Sequence, residues 1–129
     1  MLNHISIRQR ITSFNKKICV SADKSISIRA VLLASQAVGC SKISNLLESE
    51  DVLNTLKTIK KLGINYRKKD NIYIIEGFGV NGFNIKKKLV LNAGNSGTLA
   101  RLILGLLVKS KSKVKLIGDK SLSKRDFSR

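Results

Sequence analysis

A strand, a polar loop, a helix and a second strand occur twice along this chain, offset by roughly 70 residues. The first set runs through Cys19-Val20, Ser21 to Lys24, Ser25 to Val38 and Ser41-Lys42-Ile43. The second runs through Leu89 to Leu91, Asn92 to Gly97, Thr98 to Lys109 and Ser112-Lys113-Val114, and Arg29 and Arg101 fall at similar depths in the two helical segments. Any α/β protein can offer two similar units, so the repetition alone selects no family. It does bound the fold: 129 residues, 43% of them hydrophobic, suffice for one modest domain with its own core. With 5% aromatic residues and no proline, that core is expected to be aliphatic and the packing α/β.

Apolar side chains at Ile26, Ala30, Leu33 and Ala37, with Val31 and Ala34 beside them, predict one buried face of a helix over Ser25 to Val38. Gly39 then supplies the stop. A short strand is expected over Ser41 to Asn45. The next helix should take Ser49 as N-cap, carry Glu50 and Asp51 in its first turn, bury Val52, Leu53, Leu56 and Ile59, and close with Lys60, Lys61 and Gly63. Ile64 to Lys68 and Ile72 to Glu76 flank Lys69-Asp70-Asn71 as a β-hairpin, and Gly77 to Gly82 reads as a loop. A strand over Leu89 to Leu91, a loop over Asn92 to Gly97, a helix from about Thr98 to Lys109 and a strand over Lys113 to Ile117 follow. Ser121 to Arg129 starts a further helix without the apolar face to finish it, so the sequence is expected to be part of a longer chain.

Twenty-five Lys and Arg against eight Asp and Glu leave a formal charge of +17, which points to an anionic partner: nucleic acid, an acidic lipid surface or phosphorylated metabolites. Lys86-Lys87-Lys88 and the run from Lys109 to Lys115 read as solvated surface. Cys19 and Cys40 form no CxxC pair and neither stands near His4, the only histidine, so no metal site and no cofactor is expected. The cysteines read as small core residues of a reducing compartment, and His4 as a terminal surface residue. A Ser-His-Asp triad is correspondingly disfavoured. The longest apolar stretch, Leu102 to Val108, is too short to span a bilayer, and no secretory signal pattern opens the chain. The expectation is a soluble cytoplasmic protein with no membrane partner.

Three segments could carry chemistry. Ser21-Ala22-Asp23-Lys24-Ser25-Ile26-Ser27-Ile28-Arg29 brings Lys24 and Ser25 to the amides of a helix N-terminus, with Arg29 one turn on from Ser25. Such a terminus holds phosphate through unpaired N–H groups and the positive end of the dipole, although Asp23 or Ser25 could equally serve only as a cap. Asn92-Ala93-Gly94-Asn95-Ser96-Gly97-Thr98 places glycines where backbone must turn tightly or approach a ligand, then exposes the amides of Gly97 and Thr98. It is neither a Walker A loop nor GxGxxG. Gly118-Asp119-Lys120-Ser121-Leu122-Ser123-Lys124-Arg125 delivers Arg125 after a strand and a turn.

Together the three segments resemble the EPSP synthase family. Asp23-Lys24-Ser25-Ile26-Ser27 with Arg29-Ala30 resembles its Pro-Gly-Asp-Lys-Ser signature, and Gly94-Asn95-Ser96-Gly97-Thr98 with Arg101 resembles its Gly-Asn-(Ala/Ser)-Gly-Thr motif. Gly118-Asp119-Lys120-Ser121-Leu122 with Arg125 resembles its Gly-Asp-x-Ser-Leu segment, and the order and separations agree. The resemblance runs from about Val20 to Arg125. Three departures stand out: Ser21-Ala22 replaces Pro-Gly, which removes a rigid φ and a permissive glycine; Leu102 follows Arg101 where many members have Pro; and Arg125-Asp126 replaces Arg-Pro.

The resemblance implies an α/β fold of repeated βαβαββ units, the inside-out α/β barrel of the enolpyruvyl transferases, incomplete in this chain. Residues 1–20 would lead into the fold, and residues 21–129 would form part of an N-terminal-type domain, the first unit and part of the second. The implied activity is transfer of the enolpyruvyl group of phosphoenolpyruvate to the 5-hydroxyl of shikimate 3-phosphate, with release of phosphate, in the shikimate pathway to aromatic amino acids. By position, Lys24, Ser25 and Arg29 would bind shikimate 3-phosphate, while Lys24, Asn95, Gly97, Thr98 and Arg125 would bind phosphoenolpyruvate, with Lys24 as the catalytic group. Two small anionic substrates explain the cationic helix starts, since preorganised charge holds phosphates and carboxylates together against their repulsion. The groups that move protons in the family belong to later sequence, so the chain is expected to supply substrate binding without turnover, within a monomeric whole enzyme. A UDP-N-acetylglucosamine enolpyruvyl transferase and a basic nucleic-acid-binding module are the alternatives. The latter lacks an RNP-like aromatic motif and has few stacking side chains.

Overall fold

The computed structural model of the chain describes Ser6, residues 20–83, Ile85 and residues 88–128. His4, Cys19, Lys86 and Lys87, and with them most of the expected leading segment, lie outside the described residues.

Helix α1 (Lys24–Gln36) starts where Asp23, extended at φ −84° and ψ 137°, accepts a 2.7 Å hydrogen bond from the Ile26 amide. It ends one residue before Ala37, so Gly39 is not its stop; Gly39 has φ +85° and belongs to the following strand, β1 (Val38–Ser44). The expected strand over Ser41 to Asn45 therefore begins earlier, and Asn45 lies just beyond it with φ +54°. The expected buried face of α1 is also corrected. Ile26 and Leu33 are 67% and 71% exposed, and the buried side is Ser27, Ile28, Val31, Leu32, Ala34 and Ser35. The helix is apolar on two sides, so periodicity allowed either; the two serines can be buried because each is satisfied. The Leu47 amide donates to Ser27 Oγ at 3.0 Å, and Ser35 Oγ donates to the Leu32 carbonyl at 2.6 Å.

Helix α2 (Glu50–Lys61) follows its sequence pattern closely. Ser49 is the N-cap by backbone conformation, although its Oγ makes no capping bond and has no hydrogen-bond partner among the described residues. Val52, Thr55, Leu56, Thr58 and Ile59 are buried, whereas Leu53, expected inside, is 37% exposed. Gly63, at φ +94°, carries the chain past the C-cap Leu62. Strands β2 (Asn65–Lys69) and β3 (Ile72–Phe78) form the expected hairpin, with Lys69 opposite Ile72 across Asp70-Asn71 and Asp70 at φ +54°. β3 is the centre of an antiparallel sheet of order β1-β3-β2. Its side chains alternate, Tyr73 and Ile75 facing the buried side with Gly77. Gly77 is in this strand, not in a loop, because Phe78 pairs with Val38 and Gly77 with Gly39; a methyl group there would collide with the carbonyls of Ala34 and Ala37 at the end of α1. Cys40 lies in β1 and is exposed, which corrects its expected place in the core.

Strand β4 (Leu89–Asn92), helix α3 (Gly97–Leu107) and strand β5 (Val114–Ile117) form a βαβ crossover whose strands pair in parallel, Leu89 opposite Val114 and Asn92 opposite Ile117. α3 is slightly shorter than expected at its C-terminal end. The helix expected after Ser121 is a single 3-10 turn, Leu122–Lys124. Order along the chain agrees with the repetition: α3–β5 follows the pattern of α1–β1. The pairing differs, since β1 is antiparallel to β3, and Val20, where a first-unit counterpart of β4 would fall, is not in a strand. One continuous core joins α1, α2, β3, β4 and α3 through Ile28, Val31, Leu56, Ile59, Ile75, Leu91, Leu99 and Ile103, all at most 1% exposed. Tyr73 is its one buried aromatic residue among those described, so the core is aliphatic as expected. Lys109, Lys111, Lys113 and Lys115 are exposed surface.

Candidate active site

Three backbone devices bring separate segments to one place. At the start of α1, Asp23 consumes the Ile26 amide and leaves those of Lys24 and Ser25 without an intrahelical acceptor. Between β4 and α3, Asn92 Oδ1 accepts from the Gly94 amide at 2.8 Å, the Ser96 amide donates to the Ala93 carbonyl at 3.0 Å, and buried Ser96 caps α3 by accepting from the Leu99 amide at 3.2 Å. Gly94, at φ +58°, is a position only glycine fills easily, and a methyl group there would also lie 2.6 Å from Asn54 Nδ2. After β5, the Asp119 amide donates to the Gly94 carbonyl at 2.9 Å, while Asp119 Oδ1 accepts from the Leu122 amide at 2.6 Å. The third loop is thereby tied to the second, and the turn that Asp119 caps carries Arg125 back toward α3.

The result is an open cleft of ≈ 460 Å³ lined by Lys24, Ser25, Glu50, Asp51, Asn95, Gly97, Thr98 and Arg125. Arg125 Nη2 donates to Asn95 Oδ1 at 2.7 Å, and a methyl group on Gly97 would come within 2.8 Å of Arg125 Nη1. Lys24 Nζ lies 2.9 Å from Asp51 Oδ2. Three helix N-termini, those of α1, α2 and α3, therefore border the same space, with a lysine and an arginine over it.

Seven of the residues singled out in the sequence are candidate site residues, and six of them, Lys24, Ser25, Asn95, Gly97, Thr98 and Arg125, line this cleft. Arg29 does not. It borders a neighbouring apolar groove with Leu32, Leu33, Leu102 and Leu106. Arg101, grouped with the second motif, donates from Nη2 to the Asp126 carbonyl at 2.9 Å and sits 5.4 Å from the Phe127 ring centroid, which orders the segment just after Arg125. Sequence reasoning missed the two carboxylates of the cleft. Glu50 and Asp51 were legible as acidic residues in the first turn of a helix, but nothing in their spacing links them to Lys24. No group of His, Cys, Asp or Glu with metal-binding geometry occurs among the described residues, and no described helix is long and apolar enough to cross a membrane.

Fold and cleft together define an α/β protein with a polar cleft bordered by three helix N-termini. Residues 8–129 match the family model of EPSP synthase (3-phosphoshikimate 1-carboxyvinyltransferase). The 3-phosphoshikimate 1-carboxyvinyltransferases of Streptococcus pyogenes serotype M1 and of serotype M2 (strain MGAS10270) are each 43% identical over 128 residues, covering 99% of this chain and 30% of the relative. A solved structure, EPSP synthase from Acinetobacter baumannii, superimposes with a TM-score of 0.75 at 36% identity, over 85% of this chain and 25% of that one. The chain belongs to the EPSP synthase family. It spans about 30% of the length of the curated relatives it matches.

Proposed function

We propose that the cleft binds phosphoenolpyruvate and shikimate 3-phosphate, and that this chain supplies the substrate-binding part of an enolpyruvyl transfer that releases phosphate. The observation that carries the reading is the meeting of Lys24, Asn95, Gly97, Thr98 and Arg125, from three segments far apart in sequence, around one cleft. In this reading Lys24 serves both substrates. Ser25 binds shikimate 3-phosphate, and Arg29, one turn on along α1 at the neighbouring groove, reaches toward it from beyond the cleft lining, while Arg125, steadied by Asn95, binds phosphoenolpyruvate with the Gly97 and Thr98 amides. The chemistry asked of these groups is positioning and charge neutralisation. Two anions held at helix N-termini and by cations are brought within reacting distance without the cost of reorganising solvent. The same reading makes the whole enzyme a cytoplasmic monomer acting in aromatic amino-acid biosynthesis.

Titration of the 129-residue chain with shikimate 3-phosphate, followed by amide NMR, tests the proposal. Amides of Lys24, Ser25, Gly97 and Thr98 are expected to shift, and Lys24→Ala is expected to weaken binding roughly tenfold or more. Shifts with UDP-N-acetylglucosamine but none with shikimate 3-phosphate would instead favour the sister transferase, and tight salt-dependent binding of oligonucleotides would favour a nucleic-acid module. No phosphate release from the two substrates is expected from this chain alone.

A further inference from the structure

The cleft of a protein that binds anions would be expected to exclude carboxylates, yet Asp51 stands inside it with a side chain only 14% exposed, 2.9 Å from Lys24 Nζ. We propose that Asp51 is a positioning residue: its carboxylate holds the Lys24 ammonium over the cleft in the orientation that meets a bound phosphate. The inference rests on the reading of Lys24 as a ligand-binding cation.

Several features make Asp51 a fixed support instead of a passing surface partner. It lies in the first turn of α2, where the helix dipole favours a negative charge, and the Thr55 hydroxyl donates to its carbonyl at 2.8 Å. The turn itself is anchored to α1, because the Leu47 amide just before α2 donates to buried Ser27 Oγ at 3.0 Å. The start of α2 is thus tied to the start of α1, which places Asp51 within reach of Lys24. Lys24, by contrast, is half-exposed, on a flexible four-carbon stem. An ammonium has three donors; one directed at Asp51 leaves two for a ligand, with the rotamer already chosen. Glu50, also at the cleft, makes no ion pair with Lys24. The charge balance of the cleft sharpens the idea. If Asp51 were only a nearby negative charge, its removal would strengthen anion binding, since one repulsion would vanish. A positioning role predicts the opposite sign.

The test is a double-mutant cycle in the 129-residue chain, with shikimate 3-phosphate affinity read by titration and folding monitored by thermal denaturation. Asp51→Asn keeps the shape and removes the charge, and binding is expected to weaken roughly three- to tenfold. Asp51→Glu, which returns a carboxylate on a longer stem, is expected to recover part of that loss. It also provides the reading should Asp51→Asn fail to fold: binding weaker than wild type, with the deficit absent when Lys24 is Ala. In the Lys24→Ala background neither substitution is expected to matter further, because the group being positioned is gone. Unchanged or tighter binding in Asp51→Asn, or an equal loss with and without Lys24, overturns the positioning role while leaving the proposed function intact. Wild-type affinity in Lys24→Ala alone overturns both.

Discussion

Gly97 is the position at which a single atom decides between folding and binding. It opens α3, and a methyl group added to it would stand 2.8 Å from Arg125 Nη1, the far end of a flexible side chain that can move aside. Gly97→Ala should therefore keep or slightly raise the thermal midpoint, because alanine is favoured over glycine in a helix by up to about 1 kcal/mol. The displaced guanidinium would lose its 2.7 Å bond to Asn95 Oδ1, and affinity for phosphoenolpyruvate should fall roughly tenfold, measurable by titration beside a melting curve. At this scale much of the site was legible. Asp23, Lys24, Gly94, Asn95 and Gly97 were marked by residue type at helix starts, where amides lack partners whatever surrounds them, and Arg125 by its place after a strand and a turn. Asp51 was not marked, because an ion pair between the starts of two helices has no sequence spacing of its own.

Elements differ in how plainly their sequence declares a buried side. α2 has one polar and one apolar face, so its inward apolar residues could be read directly, apart from Leu53 at the boundary, whereas the buried Thr55 and Thr58 were not read. Ile59→Ala, which empties a fully buried position, should cost about 2–5 kcal/mol in denaturant unfolding, while Leu53→Ala, partly solvated, should cost less than about 1 kcal/mol. Between α2 and the hairpin, Glu48 and Lys68 form an ion pair beside Tyr73. Lys68, and then the Tyr73 hydroxyl, hold Glu48 below the usual carboxylate range, and Glu48 in turn raises Lys68. Burial, followed by the bond to Glu48, pushes the Tyr73 phenol up. A depressed carboxylate stabilises the fold above its unfolded pKa and ceases to as pH falls through the folded value. A raised lysine stabilises below its unfolded pKa and ceases to as pH rises through its folded value. The pair thus contributes across the neutral range. Glu48→Gln should lower the melting temperature slightly at about pH 7, and the difference should vanish well below the ordinary carboxylate range, as followed by circular dichroism.

Among the apolar surfaces that the described residues leave uncovered, one lies between α1 and α3. Leu33 at 71% and Leu102 at 38% exposure border a groove with Leu32, Leu106 and Arg29. Leu33→Ser should alter the stability of this chain by less than about 0.5 kcal/mol, whereas Ile28→Ala, on the opposite side of the same helix, should cost about 2–5 kcal/mol; equilibrium unfolding separates the two. This pair marks the division between what the sequence by itself determined and what tertiary structure decided. Local chemistry settled where α2, the hairpin and α3 begin, the aliphatic character of the core and the three polar loops of the candidate site, since caps, turn residues and helix N-termini act over a few neighbouring residues. Which side of α1 turns inward, whether Gly77 continues a strand, why Cys40 is exposed and which carboxylate meets Lys24 depended on packing partners distant in the chain. α1 could bury either of two apolar sides; Ser35 satisfies its own hydroxyl within the helix, but only the pairing of Ser27 with the distant Leu47 amide accompanied the packing that made this side the interior.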